Sequence, residues 1–228
     1  MARRYPTAFL SSVILNCRGL LLDMDGVLIY SNPSVERTWA KWADRHGLDA
    51  DDVLAAAHGR PTLETVRLLQ PQLDAAAATD WVERTEMDDP DGVVAIAGAR
   101  ELMAALPIDR YAVVTSATRP LAEARFAQAG LALPAQIVTA DDIASGKPDP
   151  EPYVAGAARL GVPAADCVVV EDSPAGIASG VAAGATVIGL ATTYPASELG
   201  GADVVVDNLR ALSVGDAGAG RLAIHVRR

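Results

Sequence analysis

Asp23-Met24-Asp25-Gly26 stands at the end of an apolar run, Gly19-Leu20-Leu21-Leu22. Two carboxylates at i and i+2 of a strand point to the same side. At a strand's C-terminal edge in an open α/β sheet, they project into the crevice where such sheets hold ligands. Adjacent carboxylates repel unless a cation lies between them or one is protonated. The pair therefore points to a divalent metal, to a nucleophile with an acid/base partner, or to both. A calcium loop is excluded, because ligand positions 5 and 12 counted from Asp23 hold Val27 and Ser34. A solvated turn after a strand is the plain alternative.

Three more clusters follow apolar runs. Thr115-Ser116-Ala117-Thr118 ends one run and opens a helix with Pro120 in its first turn. Hydroxyls and amides there suit a phosphate, or serve only as helix caps. Gly146-Lys147-Pro148-Asp149-Pro150-Glu151-Pro152 is a loop with one cation and three alternating prolines. Prolines fix the backbone and so hold Lys147 in place, which a solvated surface lysine does not need. Val170-Glu171-Asp172-Ser173-Pro174 places two acids after the most apolar run. Ser173 suits an N-cap, Pro174 a first helical residue, and the acids either complement the helix dipole or share a metal with Asp23.

The elements that position these clusters can be read from periodicity. Strands are expected at 19–24, 111–115, 136–139, 167–170, 186–190 and 203–206. Helices are expected at 120–128, 151–160 and 174–183, closed by Gly130, Gly161 and Gly184. Apolar strands alternating with helices predict an α/β fold, a doubly wound parallel sheet covered on both faces. Residues 32–98 break the alternation with helical patterns at 35–46, 51–57, 62–69 and 73–87 and no clear strand. They read as a helical cap inserted into a core made of 1–31 and 99–228. The tail from Ala211 to Val226 reads as a terminal hairpin.

Composition narrows the class. The chain has 228 residues, half of them hydrophobic, enough for one α/β core plus an insert or for two domains. A formal charge of −10 argues against nucleic acid. An acidic protein with an anionic substrate must focus positive charge locally, through a metal or a few Lys and Arg. Cys17 and Cys167 each adjoin an apolar run, which predicts buried thiols rather than a disulfide or zinc site. No stretch is long enough to span a membrane. Arg3-Arg4 precedes Ala8-Phe9-Leu10 and Val13-Ile14-Leu15, the outline of an export signal. The apolar stretch is short and broken, and no Ala-x-Ala site follows, so a cytoplasmic protein is expected.

Two acids, hydroxyls, a lysine and two more acids at one edge of one sheet, in that order, form a specific combination. It resembles the haloacid dehalogenase-like hydrolase superfamily, whose four motifs match Asp23-Met24-Asp25-Gly26, Ser116, Lys147 and Glu171-Asp172. The resemblance runs from Arg18 to about Asn208. Within it, His58-Gly59-Arg60-Pro61-Thr62, Thr115 to Arg119 and Gly146 to Tyr153 look like the sugar-phosphate and glycerol-phosphate phosphatases. The resemblance implies a Rossmann-like core with a helical cap and Mg2+-dependent hydrolysis of small phosphomonoesters. Asp23 would be the nucleophile and Asp25 the acid/base. Ser116, the Ala117 amide and Lys147 would bind the phosphoryl group. Asp23, the Asp25 carbonyl and Asp172, with Glu171, would hold the metal. Arg60 would meet the leaving group or be a plain surface residue. The implied partner is a small phosphorylated metabolite, with no nucleic acid or membrane, for a monomer or weak homodimer.

Rival readings leave marks of their own. β-Phosphoglucomutase-like relatives carry His ten residues after the second Asp, where this chain has Val35. Family dehalogenases lack the second Asp. Phosphonate-cleaving relatives use a cap lysine, and Lys41 is the only lysine between Asp25 and Lys147. A non-catalytic phosphate-binding protein would not need the intact set of motifs. Tyr30 stands where many relatives have Asp.

Overall fold

The computed structural model describes residues 12–57 and 60–227. Residues 1–11, with Arg3-Arg4 and Ala8-Phe9-Leu10 of the export reading, lie outside the described residues, as do His58 and Gly59. The chain runs β1 (Ser12–Cys17), β2 (Gly19–Leu22), β3 (Ile29–Tyr30), α1 (Asn32–His46), α2 (Ala50–Ala57), α3 (Thr62–Leu69), α4 (Ala75–Met87), β4 (Val94–Ala95) and α5 (Ala99–Ala105). It continues through β5 (Tyr111–Val114), α6 (Arg119–Gln128), β6 (Ile137–Val138), α7 (Glu151–Arg159), β7 (Cys167–Glu171), α8 (Pro174–Ala182), β8 (Thr186–Leu190) and β9 (Val204–Val206). It ends in β10 (Leu212–Gly218) and β11 (Arg221–Arg227).

Six strands form a parallel sheet in the order β6-β5-β2-β7-β8-β9. The order turns back at β2, so the edge beyond β5, β2 and β7 is the topological switch point where such sheets bind ligands. β2 is fully buried because both faces of the sheet are covered. Leu20 and Leu22 face one layer with Val113, Val168, Phe126 and Ile188. Leu21 faces the other with Val114, Val169, Tyr153 and Ile177.

The first face is closed in part by a second, antiparallel sheet, β1-β11-β10. Leu222, Ile224 and Val226 of β11 join the same core cluster as Leu20 and Leu22. The expected terminal hairpin is present as β10 and β11. Its third strand, β1, corrects the reading of Val13-Ile14-Leu15 as part of an export outline. These residues pair with Val226, His225 and Ile224. Val13 and Leu15 pack on the core while Ile14 stays exposed, which hid the period-2 pattern.

The helices α1 to α4 pack around a cluster of their own, Trp39, Trp42, Ala43, Val53, Val66 and Val82. Gly47, in the left-handed region, closes α1. Asp74 caps α4 by accepting from the amides of Ala76 and Ala77. Two short strands, β3 and β4, link this layer to the sheet, with Tyr30 opposite Val94. They were not expected, because two residues carry no period. Two-turn α5 was not expected either.

Ile224→Ala tests whether the tail belongs to the main core. It should lower unfolding stability by about 2–5 kcal/mol in urea denaturation, within a single cooperative transition. Two separate transitions would show that the antiparallel sheet unfolds on its own.

Candidate active site

The chain leaves β2 at Leu22, and the next residue, Asp23, is held by its amide on the Val170 carbonyl of β7 (3.0 Å). Gly26 then turns the chain with φ +79°. A Cβ there would fall 1.8 Å from Asp172 Oδ2, so only glycine allows the two loops this approach.

Lys147 lies at the centre. Its side chain is 3% exposed, and its ammonium donates to Asp23 Oδ1 (2.5 Å), Glu171 Oε1 (2.6 Å) and the Val114 carbonyl (3.3 Å). Burial works against the charge, but the two carboxylates outweigh it and raise the pKa. Glu171 in turn accepts from Tyr153 Oη on Oε1 and from Asp172 N, Ser173 N and Ser173 Oγ on Oε2, all between 2.8 and 3.0 Å. Burial opposes its ionisation, yet Lys147 and these donors lower its pKa. Gly176 makes room, since a Cβ there would collide with Glu171 Oε1 at 1.7 Å. Ser173 caps α8 through the Gly176 amide, with Pro174 in the first turn, as expected.

Asp23, Glu171 and Asp172 each offer an oxygen within 4.8 Å of the others, a grouping that could hold a metal ion. The charges fit. Burial, then Glu171 and Asp23, push the Asp172 pKa well above the carboxylate range. Burial likewise raises Asp23 to about 7 against the pull of Lys147. One lysine lies among three buried acids, a balance that either a proton or a cation suited to hard oxygen ligands would relieve. Both Glu171 oxygens are occupied by five protein donors. Within the cluster, Asp23 and Asp172 are therefore better placed to face a cation.

A cavity of about 110 Å³ opens above this cluster, between the sheet edge and the α1–α4 layer. Asp23, Asp25, Ser116, Ala117, Lys147 and Asp172 all line it. The Ala117 amide, expected to face a phosphate, donates to Thr115 Oγ1 (3.1 Å). Thr118 does not cap α6 with its side chain; its hydroxyl donates to Glu83 Oε2 (2.5 Å). Arg60 reaches the rim, exposed, with its guanidinium on the Ala56 carbonyl (2.8 Å). Val35 also lines the cavity, whereas Lys41 is exposed and does not.

Sequence reasoning missed a second charged group. Asp25 Oδ1 accepts from Ser31 Oγ (2.6 Å) and Oδ2 from Arg125 of α6 (2.5 Å). Arg125 also pairs with Glu86 of α4. A cation in the same stripe as Leu121, Ala122 and Phe126 was the available signal, since arginine is seldom buried unless paired. Glu83 and Glu86, buried on α4 together with Val82, carry the matching signal.

A doubly wound sheet with paired aspartates, a buried lysine and a further acid pair at its switch point defines a hydrolase of the phosphoryl-transfer type. The chain belongs to the haloacid dehalogenase-like hydrolases, whose family model matches residues 17–184. It is 39% identical over 208 residues to hexitol phosphatase A of Escherichia coli (strain K12), covering 88% of this chain and 95% of that protein. It is 35% identical over 218 residues to glycerol-1-phosphate phosphohydrolase 2 of Saccharomyces cerevisiae, covering 88% and 86% respectively. A crystal structure of a hydrolase from Pseudomonas syringae superposes with TM-score 0.75 at 24% identity, over 84% of this chain and 93% of that one. That likeness speaks for the fold alone. Among the described residues, no helix is long and apolar enough to cross a membrane.

A divalent cation that binds the folded site and not the unfolded chain must raise the melting temperature. Mg2+ should raise it in a thermal-shift titration, and Gly26→Ala, which drives a methyl into Asp172, should abolish the rise. An equal shift in the variant would move the metal away from Asp172.

Proposed function

We propose that the protein is a cytoplasmic phosphoric monoester hydrolase that cleaves small sugar or polyol phosphates through an aspartyl-phosphate on Asp23. One observation carries the reading. Asp23 is fixed by the buried Lys147 in a cavity that also holds Asp25. The names of the relatives, phosphatases of hexitol and glycerol phosphates, support the substrate class.

In this reading Asp23 attacks phosphorus, the bond from phosphorus to the ester oxygen breaks, and Asp25 gives its proton to the departing alkoxide. Water then attacks the aspartyl-phosphate, giving its proton to Asp25, and Asp23 is released as a carboxylate with inorganic phosphate. Lys147 and the Ser116 hydroxyl, with the Ala117 amide turned from Thr115, steady the transferring group. Mg2+ suits the donor set of Asp23, Asp172 and the Asp25 carbonyl, and when bound it would cancel charge on the phosphoryl oxygens. Glu171 we assign to holding Lys147 rather than to the metal.

Residues 32–98 act as a cap on the core made of 1–31 and 99–228, with Arg60 at the cavity rim to meet the polyol. Val35 lies at the cavity in the place of the mutase histidine and cannot bond a sugar hydroxyl. That favours transfer to water over transfer to a second sugar position.

Turnover of p-nitrophenyl phosphate should require Mg2+, stop with EDTA, and fall by roughly 10³-fold or more in folded Asp23→Asn. Activity that survives either treatment would remove the proposed nucleophile or metal. Glucose 1-phosphate with catalytic glucose 1,6-bisphosphate, followed by NMR, separates the rival. Conversion to glucose 6-phosphate faster than phosphate release would establish a mutase.

A further inference from the structure

We propose that Arg125 is a positioning residue for Asp25, aiming its carboxyl group at the leaving oxygen, with Glu86 anchoring the other side of the guanidinium. The inference rests on the phosphatase reading above and adds residues that none of its motifs contains.

The geometry is specific. Asp25 has both carboxyl oxygens engaged, Oδ1 by buried Ser31 and Oδ2 by Arg125. The Arg125 side chain is 8% exposed, and its two terminal nitrogens point to different acids, Nη1 to Asp25 and Nη2 to Glu86. A planar guanidinium gripping two carboxylates cannot rotate without losing one of them. Arg125, Glu86 and Asp25 all line the cavity that holds Asp23. The group thus sits beside the reacting atoms rather than in the distant core.

A purely structural ion pair would tie α4 to α6, and the neighbouring contacts already do that. Glu83 accepts from Thr118, and Gln128 donates to the Met87 carbonyl at 2.9 Å. What Arg125 adds is the link to Asp25. Asp25 must deliver a proton when the phosphorus–oxygen bond breaks, and that link fixes the direction in which its carboxyl group faces. Delivery leaves Asp25 as a carboxylate on Arg125 and the product as a neutral alcohol.

The test exploits leaving-group chemistry. Nitrophenolate departs without a proton, whereas benzyl alkoxide needs one. The substrates p-nitrophenyl, phenyl and benzyl phosphate share an aromatic ring, and kcat/KM reports the step in which the alcohol leaves. Arg125→Lys keeps the buried cation but not the fork. It should lower kcat/KM for benzyl phosphate about tenfold or more beyond its effect on p-nitrophenyl phosphate, with phenyl phosphate between them. Glu86→Gln should shift the same ratio in the same direction by a smaller factor. Because the ratio is independent of how much protein is folded, a loss of stability leaves it readable. Proportional falls on all three substrates, in either variant, would make Arg125 a structural residue and overturn the inference. A wild-type protein that hydrolyses none of the three with Mg2+ would instead overturn the phosphatase reading, and the inference with it.

Discussion

The site depends on one ammonium group buried among carboxylates. Removing an ionised lysine from water is expensive, and it is tolerated only where opposite charges and hydrogen bonds replace the solvent. Lys147 finds Asp23 and Glu171 on either side and the Val114 carbonyl beneath. Each of those partners ends or follows a different strand, so the lysine ties the loops after β2, β5 and β7 into one floor. Glu171 completes the tie through Tyr153 of α7 and the amides of Asp172 and Ser173 that lead into α8. Deleting the cation would leave buried acids unpaired, a loss of about 3–5 kcal/mol in comparable cases.

A second buried cation does for the α1–α4 layer what Lys147 does for the sheet. Thr118 at the start of α6, and Arg125 and Gln128 within it, meet Glu83, Glu86 and Met87 on α4. Burial pushes Glu86 up to about 7 against the pull of Arg125. These contacts tie α4 to α6. The α1–α4 layer has an apolar cluster of its own, built on Trp39 and Trp42.

The parts legible in the sequence were those with a period or a repeated chemical type. The parallel strands around Leu20–Leu22, Ala112–Val114 and Val168–Val170 are continuous apolar runs, and buried strands have to be. The helical patterns expected in 32–98 correspond to α1, α2, α3 and α4. Asp23, Asp25, Ser116 and Asp172 each follow such a run, Lys147 stands in a loop of alternating prolines, and the structure brings all five to one cavity. Illegible were contacts whose partners are far apart in sequence. Arg125 and Asp25 are 100 residues apart, and no local rule pairs them. Glu171 and Asp172 are neighbours of the same type, but only the three-dimensional donor set separates the one that grips Lys147 from the one that does not. β1 was obscured by an exposed isoleucine, and β3 and β4 by their two-residue length.

Charge accounting connects the sequence to the proposed chemistry. Four carboxylates line the cavity, Asp23, Asp25, Glu86 and Asp172, against Arg60, Arg125 and Lys147. Lys147 and Arg125 are already engaged by acids. By formal charge that lining is one negative in excess, inside a chain of net charge −10. In the proposed function, a divalent cation between Asp23 and Asp172 would supply the attraction for a phosphate dianion. The acidic composition, the crowding of carboxylates at the switch point and the proposed need for a divalent cation are one constraint seen at three scales.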